Sequence, residues 1–196
     1  TLTDAGHYLI AYNIGIDCGT STNRYNHVAA VYLDGSEVEG TRTTSYIRGN
    51  NGDYEGGLSY IGIINAAASD QLTIKVWQDL GDVGYAGTVR NDATAVALVK
   101  LPDTAEYIRL HESGGGQTLS DLVTNITFDT DDEVDPAFDR SGTDDEIKTL
   151  TAGDYLFTWS VFARKPTEDG YRENLWTKLV LKGSPDTVHP WALAGH

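Results

Sequence analysis

The chain has 196 residues, with 14 Lys plus Arg against 29 Asp plus Glu, a formal net charge of −15 and 40% hydrophobic residues. That apolar content excludes a disordered chain, and the acidic balance argues against nucleic acid or an anionic membrane surface as the main partner, because both repel it. A single Cys excludes a disulfide framework and a cysteine-rich zinc site, and no apolar run reaches the ~18 residues that a membrane-spanning helix needs.

In chain order, nearly everything reads as strand. Tyr8, Ile10, Tyr12 and Ile14 alternate with Leu9, Ala11 and Asn13, a period of two that gives one buried face. Cys18 follows in Asp17-Cys18-Gly19-Thr20-Ser21, a loop whose acidic neighbour raises the thiol pKa and works against a reactive thiolate. Val28 to Leu33 is continuously apolar, which predicts cover on both faces, and ends in the hairpin turn Asp34-Gly35. The Gly-rich stretch Arg48 to Asp53 lacks phosphate-loop spacing and a following helix, so it reads as a loop between strands. Leu72, Ile74 and Val76 alternate with Thr73, Lys75 and Trp77, and Ala95 to Leu101 is another continuous apolar strand. Pro102-Asp103 then makes a turn, and a boundary is expected near residue 104, giving units 1–104 and 105–196.

An internal repeat spans the two units. The segment from Thr1 to Ile14 returns as Thr149 to Val161, Arg24 to Ser36 returns as Arg172 to Ser184, and Ser45 to Gly49 returns as Trp191 to Gly195. The period is about 147 residues, so the chain holds one unit and the start of another. In the second copy Tyr155, Phe157, Trp159 and Val161 alternate as the first strand does, and Lys182-Gly183 occupies the hairpin turn. The chain also contains no Met, which reads as a processed chain or a stretch of a longer tandem protein. Many short strands with Gly-rich turns predict an all-β sandwich or barrel.

These blocks resemble the jelly-roll superfamily of the complement globular head and tumour necrosis factor. The likeness is carried by Gly6-His7-Tyr8 and Gly153-Asp154-Tyr155 as an early core strand and by Val31 to Gly35 as a strand ending in a turn. Ala66 to Val76, a small-residue stretch followed by an aspartate and alternating apolar residues, and the closing strand Ala95 to Leu101 complete it. The resemblance implies a jelly-roll β-sandwich, with Asn125 to Asp129 as the opening strand of the second copy and the first copy lacking its own. It also implies trimers formed through aromatic-rich faces, and roles as recognition heads, adhesive tips or surface proteins rather than enzymes.

Candidate chemistry is sparse. His7, His27, His111, His189 and His196 form no close ligand pair, no Gly-x-Ser-x-Gly elbow is present, and nothing pairs a catalytic acid with a base. The acidic run is the sharpest feature. Asp129, Asp131, Asp132, Glu133 and Asp135 offer hard oxygen ligands suited to calcium, although Val134 and Arg140 break the EF-hand pattern. A solvated acidic loop is the plainer reading. Asn125-Ile126-Thr127 matches a glycosylation acceptor but lies on an expected strand. Tyr54, Tyr60 and Tyr85 sit among Gly, Asp and Asn and read as loop aromatics able to stack on sugar rings, while Tyr8, Tyr12, Tyr155 and Trp159 read as core or subunit contacts.

The expectation is therefore a non-catalytic structural or adhesive protein of an extracellular or virion assembly, a homo-oligomer or polymer with no resident cofactor beyond calcium. A carbohydrate- or receptor-binding tip is the alternative, and a glycoside hydrolase using two loop carboxylates comes third.

Overall fold

The computed structural model describes residues 1–19, 24–48, 55–78, 87–113, 117, 124–140, 145–159, 161, 176–181 and 187–195, the side chains of 24, 48 and the last two segments excepted. The chain is all-β, with no helix among the described residues. It divides into two compact units, Thr1–Trp159 and Ser160–His196.

Unit 1 begins with β1 (Gly6–Asp17), β2 (Arg24–Leu33), β3 (Ser36–Glu37), β4 (Thr43–Arg48), β5 (Glu55–Ala66), β6 (Leu72–Gln78) and β7 (Thr88–Lys100). They form two antiparallel sheets. One has the order β5-β1-β7. In the other, β2 pairs with β3 and β4 and with β6. The alternation of β1 becomes burial: Tyr8, Ile10, Tyr12, Ile14 and Ile16 point inward, joined by Leu58 and Ile64 of β5. Tyr25, Ala29 and Val31 of β2 and Ile47 of β4 close the same core from the other sheet. The body is thus sandwich-like, two sheets sharing one apolar interior.

The turn after β2 forms as the sequence predicts, with Asp34 at φ 46° and Gly35 at φ 85°, the left-handed pair that matches the twist of a hairpin. Val28 to Val31 are buried on both faces. The chain also turns at Pro102, where the Ala105 N–H donates to the Pro102 carbonyl at 2.9 Å.

The continuous apolar strand β7 departs from expectation. It lies at the edge of its sheet, and Val96 and Val99 are 59% and 56% exposed on opposite faces. Neither face is covered there, because continuous apolarity is a capacity for burial that needs a neighbour to be realised.

Unit 1 continues with β8 (Ile108–His111), β9 (Thr130–Val134), β10 (Phe138–Asp139) and β11 (Lys148–Thr149). β8 pairs with β9 and β10 with β11, and none joins the two larger sheets. Two expectations are corrected here. Asn125 to Asp129 is not a strand: Gln117 Oε1 accepts from the Thr127 N–H at 3.0 Å and Arg140 donates to the Phe128 carbonyl at 2.8 Å, so side chains take the backbone groups a ladder would use. Tyr155 to Trp159 is not a strand either. The Tyr155 hydroxyl folds back onto the Thr151 carbonyl at 2.5 Å, and Leu156 and Phe157 are both exposed, so the alternation yields no buried face.

Unit 2 holds β12 (Trp176–Leu181) and β13 (Thr187–Gly195), paired antiparallel with a register shift between Lys178 and Val180. The turn expected at Lys182-Gly183 lies outside the described residues, as do the loops 49–54 and 114–116.

Candidate functional site

The middle of the acidic run is a strand rather than a loop, with Asp129 and Asp135 flanking it. Pairing with β8 fixes Asp131, Asp132 and Glu133 within β9, and each carboxylate finds a different protein donor. Asp129 accepts from the Ser113 N–H at 2.7 Å. Asp131 pairs with Arg140. Asp132 accepts from His111 Nδ1 at 2.9 Å and lies 3.4 Å from Arg109 Nε. Glu133 accepts from His7 Nε2 at 2.8 Å, and Asp135 from the Tyr107 N–H at 2.7 Å. A calcium ion needs such oxygens to converge, whereas these five diverge to separate partners. Among the described residues no group of three or more His, Cys, Asp or Glu is arranged to hold a metal ion.

The contacts of β9 gather a cluster that sequence spacing does not reveal. His7 on β1 stacks against Tyr107 with ring centroids 4.7 Å apart. Burial and the nearby Glu133 carboxylate raise the Tyr107 pKa. Arg109 donates to the Glu39 carbonyl, and His111 Nε2 lies 3.4 Å from the Glu39 carboxylate. Tyr60 adjoins Arg109 and Asp132, and burial pushes its phenol up to about 12.

Tyr60 itself is a correction. It belongs to β5 rather than a loop, opposite Tyr12, and the two rings stack at 5.7 Å. The pleat places it on the core side, half-buried against the core cluster. Tyr54 and Tyr85, the other proposed ligand aromatics, lie outside the described residues. Tyr8 and Tyr12 are core: their hydroxyls donate to the Asp4 carbonyl at 2.6 Å and the Thr41 carbonyl at 3.3 Å. Tyr155 is 44% exposed and packs edge-on against Phe138, while Trp159 lies against Phe157. Cys18 is buried, and desolvation followed by the Asp17 charge raises its thiol pKa.

An open cleft of about 560 Å³ lies at one end of the body, lined by Asp17, Glu55, Thr88, Val89, Arg90, Asn91 and Asp92. Arg90 is clamped by Glu55 and by Asp92 at 2.7 Å. The guanidinium holds the Asp92 carboxyl below its usual range.

A further feature is the outer face of the β5-β1-β7 sheet. Register brings Leu9, Ala11 and Asn13 of β1 beside Ile63, Ile61 and Ser59 of β5 and Val99, Ala97 and Ala95 of β7. All nine are uncharged in a chain of net charge −15. Ile61 is 42% exposed, and the three β7 residues are exposed. Seven of the nine are apolar, and Asn13 and Ser59 hydrogen-bond to each other at 2.8 Å.

No protein-family model matches the chain, and no curated protein matches it.

Proposed function

We propose that the protein is a self-associating structural or adhesive β protein, a jelly-roll unit with the start of a second, that assembles through the outer face of its β5-β1-β7 sheet. The uncharged face carries this reading. Like-charged copies repel wherever carboxylates face each other, and the uncharged stretch of this face, away from Asp17 and Glu55 at its end, is where they meet at least cost. The β-sheet connectivity supports the jelly-roll reading, because the chain passes back and forth between sheets along β1, β2, β5, β6 and β7. The tandem reading is supported by β12, which ends at Leu181 where the repeat aligns Leu33 of β2, and by its antiparallel pairing with β13 as β2 pairs with β4. A threefold arrangement outside the cytoplasm follows from the resemblance.

Light scattering on Val99→Glu tests this. A charge at Val99, an exposed residue on the edge strand of the face, drives oligomers to single chains at micromolar concentration, while a charge on the opposite sheet, Tyr46→Glu, leaves them intact. Unchanged oligomers in Val99→Glu overturn the reading.

The acid-lined cleft favours a second reading, a tip that binds a polyhydroxylated or cationic ligand through Asp17, Glu55 and Asp92. Glycan screening with no signal above an Asp17→Asn, Asp92→Asn double-variant control removes it.

A further inference from the structure

The β8–β9 pair attaches to the body by polar side chains rather than through the core. Its attachment points among the described residues include the His7–Glu133 hydrogen bond, the His7–Tyr107 stack, the Arg109 contact with the Glu39 carbonyl and the approach of His111 to Glu39. Among the described residues, no hydrophobic side chain of β8 or β9 enters the core cluster or packs against it. Meanwhile the pair is coherent in itself. The two strands hydrogen-bond, His111 and Arg109 share Asp132, Asp135 caps the Tyr107 N–H, and Arg140 ties Asp131 to the Phe128 carbonyl. A segment that is internally satisfied and externally held by polar contacts can open without unfolding the sheets.

We infer that the β8–β9 arm is an exchangeable clasp, and that the site formed by His7 and Glu39 on one copy takes the arm of a second copy of this chain. The partner follows from complementarity: the arm is the partner that already fits this site, donor for acceptor and ring for ring. Exchange re-forms every one of these contacts between copies, so it loses no contact and adds a link between chains. The hinge is the stretch from Leu101, whose N–H is held by the His7 carbonyl at 2.8 Å, through the Pro102 turn to Ala105. This inference rests on the self-association proposed above and names a second, independent contact within it.

The test places a photo-cross-linker at Tyr107→p-benzoyl-phenylalanine in ¹⁵N-labelled chains, mixes them one to one with unlabelled chains of the same variant, and reads cross-linked peptides by mass spectrometry. Exchange gives cross-links from residue 107 to the His7 peptide, about half of them joining labelled to unlabelled chains. The mixed fraction grows with salt, which weakens the polar clasp and speeds opening. Oligomers by light scattering with same-isotope cross-links alone overturn the exchange and leave self-association standing. Single chains throughout overturn both. Absence of any cross-link to the His7 peptide shows that the arm does not dock there and also overturns the inference.

Discussion

Residues 6–100 bury Ile10, Ile16, Tyr25, Val31, Leu58 and Ile64 almost completely, whereas among the described residues of 105–159 only Ala137 is buried. The first region is held by apolar area removed from water, the second by paired charges and hydrogen bonds. The two respond to different perturbations. Salt and charge removal act on the arm, and cavities act on the body.

The largest expected effect sits in the core. Ile64→Ala costs about 2–5 kcal/mol of global stability in urea unfolding, because Ile64 is fully buried and its cavity cannot collapse freely. The same truncation at half-buried Leu110 on β8 costs under about 1 kcal/mol by area bookkeeping. Equal costs would erase the distinction between the regions.

Next comes the arm. Asp132→Asn leaves His111 and Arg109 without their shared carboxylate, and lowers protection of the β8 and β9 amides by about 1–3 kcal/mol in hydrogen exchange. The β1 amides keep their protection. Parallel loss in β1 would show that arm and body open as one.

His27 sharpens the comparison from within the core. It lies on the inner face of β2, 3% exposed, and neither ring nitrogen has a hydrogen-bond partner among the described residues. Burial lowers its pKa from the usual 6.5. The unfolded chain therefore takes up this proton first as pH falls. Stability from this site is full above about 6.5 and is lost as pH drops below that value. His27→Leu flattens that part of the stability–pH curve, and an unchanged slope in the variant assigns the dependence elsewhere.

The smallest effect is on the surface of the second sheet. Arg42 donates to Glu37 at 2.9 and 3.1 Å and holds its carboxyl below the usual range, yet the Arg42 side chain is 58% exposed. Arg42→Ala costs under about 1 kcal/mol in urea unfolding.

The body was legible where its signals are local. Alternation in Tyr8 to Ile14 and in Leu72 to Val76, the apolar run Val28 to Val31 and the turn at Asp34-Gly35 each arise from residues close in sequence. β5 escaped because Gly56, Gly57 and Ser59 dilute its pattern, so Tyr60 looked like a loop aromatic until the pairing with β1 set its face. Tyr155 to Trp159 failed in the opposite sense, since alternation without a partner strand makes no strand. The contacts between β8–β9 and the body had no local signal at all. His7 and Glu133 are 126 positions apart, and neither residue is unusual until the fold brings them to 2.8 Å. The uncharged face is likewise a property of register: its nine residues come from three strands, and their shared orientation appears only when those strands align.

Light scattering of the unmodified chain at micromolar concentration, in 0.05 M and 1 M salt, bears most directly on that face. Association through apolar surface gives an oligomer of fixed size, three chains by resemblance, that persists or tightens as salt screens the repulsion between acidic copies. Single chains in both conditions would contradict it.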